Sequence, residues 1–224
     1  MLKTIIIIAL VILSVNCEYR GIDVSVHQGD NIDFKKVKNS GINFVIMRAG
    51  IGHGDYGLKD KYFEINYKKA KDAGLNVGVY WYSKALSIEE STKEANMLLN
   101  ALKGKTLEYP VYYDIEEKAL FKKGTALTSD IAKNFCKILE KKNYFCGLYA
   151  SLYYFNNYFT DEVKKKYTIW VAQYNTKCDY KGDYKIWQYS SSGRVPGITG
   201  NVDCDISYYD FPTLIKKLKK NGFK

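Results

Sequence analysis

From Arg20 onward, short runs rich in β-branched and aromatic residues alternate with longer lysine-bearing segments whose apolar residues recur at helical spacing. The first kind predicts strands at Gly21–Val26, Asn43–Ala49, Asn76–Ser83, Pro110–Glu116, Gly147–Ser151, Thr168–Tyr174, Lys185–Ser190 and Val202–Ile206. The second predicts helices at Phe34–Asn39, Lys61–Ala73, Ile88–Leu102, Ser129–Lys142 and Pro212–Lys220. Local chemistry marks several of these. Ser87-Ile88-Glu89-Glu90 reads as a capping box, Gly74 and Gly104 follow their helices as stops, and Ile131, Phe135, Ile138 and Leu139 share one helical face. Strand–helix alternation is the signature of βα units around a parallel sheet, and eight such strands predict a closed, TIM-like α/β barrel. After Ser151 three strands follow one another on links too short for full crossover helices. The pattern is therefore (β/α)5(β)3, with antiparallel or irregular pairing expected in the strand-rich last third. No Gly/Ser/Pro-rich linker divides the chain, which predicts one barrel domain over 18–224, with Ser190–Gly197 as a loop at its mouth.

The first 17 residues stand apart. Lys3 precedes an uncharged apolar run from Ile5 to Val15, followed by small and polar residues up to Cys17, as in a secretory signal peptide. That run falls well short of the ~20 residues needed to span a bilayer. The expectation is a secreted, extracellular or luminal protein without stable membrane association. Removing 1–17 leaves Cys136, Cys146, Cys178 and Cys204, an even set for an oxidising compartment. Neighbouring elements favour the pairs Cys136–Cys146 and Cys178–Cys204 among three possible connectivities. Their spacing matches no zinc pattern and only His27 and His53 add imidazoles, so neither a metal nor another cofactor is expected.

Of the 224 residues, 46% are apolar and 26% charged, and three are proline, which excludes a disordered or collagen-like chain. The net charge of +10 is almost all lysine, spread over helix faces as a solubilising surface. Dispersed lysine and scarce arginine argue against nucleic-acid binding. A basic surface would nevertheless be drawn to anionic polymers.

In a parallel barrel, reactive groups gather at the C-terminal ends of the strands. Period-two alternation puts Asp23, Ser25 and His27 on one face of the first strand and Tyr112, Asp114 and Glu116 on one face of the fourth. Asp203 and Asp205 share a face of the last strand. Acids converging in a partly dry pocket cannot all ionise, so at least one keeps its proton near neutrality, as glycoside hydrolysis requires. Tyr80, Tyr82, Tyr149, Trp170, Tyr174, Trp187 and Tyr189 also lie on strands, where aromatic faces with polar tips suit sugar rings. Gln173 and Gln188 are candidates to bond sugar hydroxyls, His27 is a candidate wall residue, and Trp81 reads as core.

Gly21-Ile22-Asp23-Val24-Ser25-Val26-His27-Gln28-Gly29, Tyr113-Asp114-Ile115-Glu116, Ile169-Trp170-Val171-Ala172-Gln173-Tyr174, Ile186-Trp187-Gln188-Tyr189-Ser190 and Val202-Asp203 resemble, in this order, the motifs of Chalaropsis-type lysozymes. These are the glycoside hydrolases of family 25, and the resemblance runs over essentially all of 19–224. It implies a modified barrel and a secreted, monomeric muramidase cutting the β-1,4 bond between N-acetylmuramic acid and N-acetylglucosamine in peptidoglycan. It also implies that Glu116 is the general acid, with Asp114 beside it, and that Asp23 and Asp203 are the other pocket acids. Tyr80-Trp81-Tyr82 departs from the family, which commonly has histidine in the middle and an aromatic such as phenylalanine last. A chitinase pattern fits less well, since Tyr112, Pro110 and Tyr109 stand where it needs Asp, Gly and Asp. A silent sugar-binding barrel would have lost the acid that Glu116 retains. The stereochemical outcome stays open. Same-face neighbours on a strand stand ~6.6 Å apart at the backbone, between the separations typical of retaining and inverting carboxylate pairs.

Overall fold

The computed structural model describes residues 18–53 and 56–224, and the signal peptide expected over 1–17 lies outside the described residues. The strands are β1 (Tyr19–Val24), β2 (Phe44–His53), β3 (Tyr56–Lys59), β4 (Asn76–Tyr82), β5 (Val111–Asp114), β6 (Cys146–Ser151), β7 (Thr168–Ala172), β8 (Ile186–Gly193) and β9 (Val202–Ser207). The helices are α1 (Phe34–Asn39), α2 (Phe63–Asp72), α3 (Ile88–Ala101), α4 (Lys118–Phe121), α5 (Thr125–Lys141), α6 (Leu152–Tyr158), α7 (Asp161–Lys166) and α8 (Phe211–Lys217). Hydrogen bonding runs β1-β9-β8-β7-β6-β5-β4-β2 and closes through β2 on β1, giving the eight-stranded barrel that the alternation predicts. The short β3, absent from the sequence-based layout, pairs only with the far half of β2.

The last third differs from expectation in two respects. β7 and β8 pair parallel, although their link, residues 173–185, holds no helix. Only β9 is reversed, lying antiparallel to both β8 and β1. The short link from Gly193 to Val202 leaves no room for a crossover, so the chain must turn back. Between β6 and β7, α6 and α7 supply a crossover that the polar, tyrosine-rich stretch after Ser151 concealed.

Alternation sorts the side chains into two cores. Outward residues such as Val45, Val79, Tyr113, Leu148 and Val171 meet the helices, while Phe44, Ile46, Tyr112, Tyr149 and Trp170 fill the barrel. The barrel is filled by rings, which requires gaps in its wall. A Cβ on Gly21 would stand 2.1 Å from the Phe44 ring, and one on Gly147 would stand 2.5 Å from Tyr112. Below, Tyr109 and Phe211 close the floor, with Phe44 stacked on Tyr109 at 4.2 Å. This aromatic plug supports the polar layer above it. At α3 the predicted cap is present, with Ser87 accepting from Glu90 N at 3.1 Å, but Glu90 reaches back to Leu86 N instead of completing a box on Ser87.

Cys136 of α5 and Cys146, which opens β6, are disulfide-bonded with their Cα atoms 5.4 Å apart. The expected Cys178–Cys204 bridge is not formed, and both thiols are free. Cys178 bonds the side chain of Tyr184, just before β8, whereas Cys204 bonds Tyr189 in the middle of that strand. Cys204 stands opposite Ser190 in the β8–β9 ladder, whereas Cys178 lies in the link before β8, so the two thiols have different neighbours.

Candidate active site

A cleft of about 230 Å³ opens at the end of the barrel where the parallel strands finish. Asp23 ends the inner face of β1, Asp114 is the last residue of β5, and Glu116 follows two residues on, all three lining the cleft. Asp203 arrives from the other direction. Because β9 runs antiparallel, its first residues, not its last, reach the cleft, and Asp203 lies directly opposite Asp23 in the ladder. Asp205, two residues deeper on the same face, sits beneath them without exposed surface. The structure thus brings together Asp23, Asp114, Glu116 and Asp203 around the cleft, with Asp205, the other acid on that face of the last strand, beneath them.

Their surroundings differ. Burial pushes the Asp23 carboxyl well above the ordinary range, and the charges of Asp205 and Asp203 push it further. Asp205 is raised well above the range by burial despite accepting from the Trp170 indole at 2.8 Å. Two desolvated acids so placed cannot both ionise, so the Asp23–Asp205 pair holds a proton. Gln188 fixes its orientation, donating to Asp23 at 2.7 Å and accepting from the Tyr149 hydroxyl at 2.9 Å. Burial raises the Glu116 carboxyl, and so does the Asp203 charge. Asp114 is raised well above the range by burial and then by Glu116, with Arg48 acting in the opposite sense. One oxygen of Asp114 is buried and finds no hydrogen-bond partner among the described residues.

Arg48 was not picked out from the sequence. It follows Phe44 and Ile46 on the inward face of β2, and that charge on an otherwise apolar face was the available signal. Its Nε donates to Asp60 at 2.8 Å, and the same Asp60 oxygen accepts from Val26 N at 2.9 Å. Asp60, buried to 6% exposure, thereby ties the turn after β1 to the arginine. In that turn Ser25 caps a single helical turn over Val26–Gln28, which leaves His27 exposed at the rim beside Asp203.

The aromatic candidates divide. Tyr80, Tyr82, Tyr149, Trp170 and Tyr174 line the cleft. Trp170, 1% exposed, forms its floor, packing on Tyr149 at 4.4 Å and on Tyr112 at 5.2 Å. Trp187 does not reach the cleft, because alternation along β8 turns it outward into the helix-side core. Its indole donates to the Gln173 carbonyl at 2.8 Å. Gln173 lines an adjoining hollow with Tyr174 and Ser151, its amide closing a loop with Asp179 through two bonds of 2.7 Å. Tyr189 packs beside Trp187 at 5.7 Å. No cluster of His, Cys, Asp and Glu with metal-binding geometry occurs among the described residues.

Several acids whose burial and mutual charge raise their hold on a proton, in a polar cleft floored by aromatic rings, suit the cleavage of a glycosidic bond. Comparison with known proteins points the same way. The model of glycosyl hydrolases family 25 matches residues 22–198. An autolytic lysozyme of Clostridium acetobutylicum is 33% identical over 192 residues, covering 83% of this chain and 55% of the relative. Among solved structures, the modular autolysin LytC of Streptococcus pneumoniae in complex with a synthetic peptidoglycan ligand superposes with a TM-score of 0.77 at 26% identity, covering 84% of this chain and 46% of that one. The CTP1L endolysin superposes with a TM-score of 0.75 at 28% identity, covering 90% and 69%. The chain thus spans about half the length of the first two proteins.

Proposed function

The chain belongs to glycosyl hydrolase family 25, and from that premise we propose that it is a secreted lysozyme hydrolysing β-1,4 bonds between N-acetylmuramic acid and N-acetylglucosamine in peptidoglycan. The observation that carries the reading is the meeting of Asp23, Asp114, Glu116 and Asp203 in one open cleft. Glu116 protonates the departing glycosidic oxygen, since burial and the Asp203 charge both strengthen its hold on a proton. Asp114 ends β5 and Glu116 follows two residues on, just past the strand, so both enter the cleft from the end of β5, which suits Asp114 poorly to direct attack on the far face of the sugar. Its unpartnered buried oxygen is free to accept the N–H of the substrate's own 2-acetamido group. So oriented, the acetamide oxygen closes on the anomeric carbon as the C–O bond to the leaving sugar breaks. Water then opens that ring with Glu116 as base, and two inversions give net retention. The Asp23–Asp205 pair and Gln188 hold the opposite wall.

Turbidity loss of purified bacterial walls, run beside chitin, tests the reading. Lysis of walls but not chitin is expected, and Glu116→Gln should lower it by at least ~10² with the fold intact. NMR of the first-formed reducing end tests the mechanism, because an initial α-anomer would mean direct attack by water and would exclude the role given to Asp114.

A further inference from the structure

Behind the cleft, on the helix side of the sheet, lies a buried carboxyl for which the proposed chemistry has no use. Glu94 projects from α3 with no exposed surface. One of its oxygens accepts the Lys84 backbone N–H at 2.9 Å, and the other accepts the Tyr113 hydroxyl at 2.6 Å. The Tyr113 oxygen accepts from Ser83 Oγ at 2.8 Å, and Ser83 Oγ accepts from Ala85 N at 3.2 Å. Every donor in this chain points towards the carboxylate, so loss of either oxygen leaves a buried donor unmatched. The group is also held from the side. A Cβ on Gly52 of β2 would stand 1.7 Å from Glu94 Oε1, so β2 lies directly against the carboxylate. The Tyr113 ring stacks on Phe135 of α5 with centroids 3.7 Å apart.

The two residues that Glu94 reaches adjoin the cleft. Tyr113 immediately precedes Asp114, and alternation sends the first to the helices and the second into the cleft. Ser83 immediately follows Tyr82, which lines the cleft, and its N–H bonds the Asp114 carbonyl at 2.9 Å. A shift of the Tyr113 ring is therefore passed to the Asp114 backbone, and a shift of Ser83 to Tyr82. Desolvating a carboxyl is unfavourable, and an apolar side chain of similar size would fill the space without that penalty. A polar bracket does what an apolar side chain does not, because its bonds admit only one arrangement of the joined strand ends.

We infer that Glu94 is a positioning residue for hydrolysis: through Tyr113 and Ser83 it fixes where Asp114 and Tyr82 stand against the sugar, without touching substrate. The inference rests on the muramidase reading of the cleft. Its test uses soluble peptidoglycan fragments as substrate, with folding checked by circular dichroism and melting temperature. Glu94→Gln and Tyr113→Phe should each lower kcat by ~10-fold or more while KM stays within about two-fold, since misplacement at this range acts on the transition state. The double variant should be no slower than the worse single one, because both break the same bracket. Ser83→Ala, which removes only the outer link, should fold like the parent and lower kcat by a few-fold, and it decides the matter if the other two fail to fold. Normal kcat in folded variants, or losses that simply multiply, would reduce Glu94 to a stabilising group and overturn the inference. Glu116→Gln is measured alongside. Full activity there would sink the muramidase assignment itself, whereas an inactive Glu116→Gln beside a normal Glu94→Gln sinks only this inference.

Discussion

Burial raises Glu116 first and the Asp203 charge raises it further, and Asp203 is itself eased by His27 at the rim, so a carboxylate and an exposed imidazole tune a proton affinity that burial establishes. The sign is definite. Removing a negative neighbour makes ionisation of Glu116 easier, so Asp203→Asn should move the basic limb of the kcat/KM profile to lower pH. An unmoved limb would mean that burial alone holds the Glu116 proton. Residue identity made Asp23, Asp114 and Glu116 legible, since each sits in a run whose alternation is unambiguous. Arg48 is not legible in this way, since a single cation within an apolar strand also reads as an edge or an end. Its place beside Asp114 comes from β2 continuing past β1 to the rim. Trp187 shows the opposite case: its type suits a sugar cleft, but its parity on β8 faces the helices.

At the scale of elements, the reversed β9 has most bearing on the site. Read as a strand like the others, it would carry Asp203 at the wrong end; reversed, it brings Asp203 level with Asp23. The disulfide is also an element-level device, joining α5 to the start of β6, which pairs with the strand bearing Asp114. Its two cysteines are ten residues apart, and closing so short a loop contributes about 2–3 kcal/mol through the unfolded chain. Reduction should lower the melting temperature accordingly, by about 4–12 °C for a chain of this size. Alkylation of the unfolded but unreduced protein, followed by peptide mass analysis, should label Cys178 and Cys204 and spare Cys136 and Cys146. Label on Cys136 or Cys146 would contradict the bridge. Both predicted pairs joined neighbouring elements, but adjacency of elements is weaker than the few ångströms a disulfide requires.

For the whole molecule, the cleft places five carboxyls where burial opposes their charge, and stability must respond to pH. A carboxyl whose folded pKa is raised binds a proton that the unfolded chain has released. Its stabilising contribution is complete below the ordinary carboxylate range and is lost as pH rises through the folded value. For Asp23 and Asp205, both raised well above that range, the loss runs upward from the ordinary range. Asp205→Asn keeps an acceptor for the Trp170 indole and adds a donor for Asp23, while removing one buried charge. The variant should be roughly 1 kcal/mol more stable than the parent above neutral pH, with a shallower fall of melting temperature as pH rises, and should hydrolyse walls more slowly. Parallel pH profiles for the two proteins would show that the pair does not hold the proton assigned to it.

By itself the sequence determined the barrel and its polar end, because strand periodicity, helix stops and the order of elements are local properties written in neighbouring residues. It also determined which acids share a face, since parity along a strand needs no knowledge of the partner strand. Only the tertiary structure decided the direction of β9, the arrival of Arg48, the outward turn of Trp187 and the separation of Cys178 from Cys204. Each depends on which strands become neighbours and in what register, and those are contacts between residues far apart in the chain. Glu94 belongs with them: on a helix its carboxylate looks like one more solvated charge, until Gly52 of β2, Tyr113 of β5 and the backbone of Lys84 close around it and leave it no exposed surface.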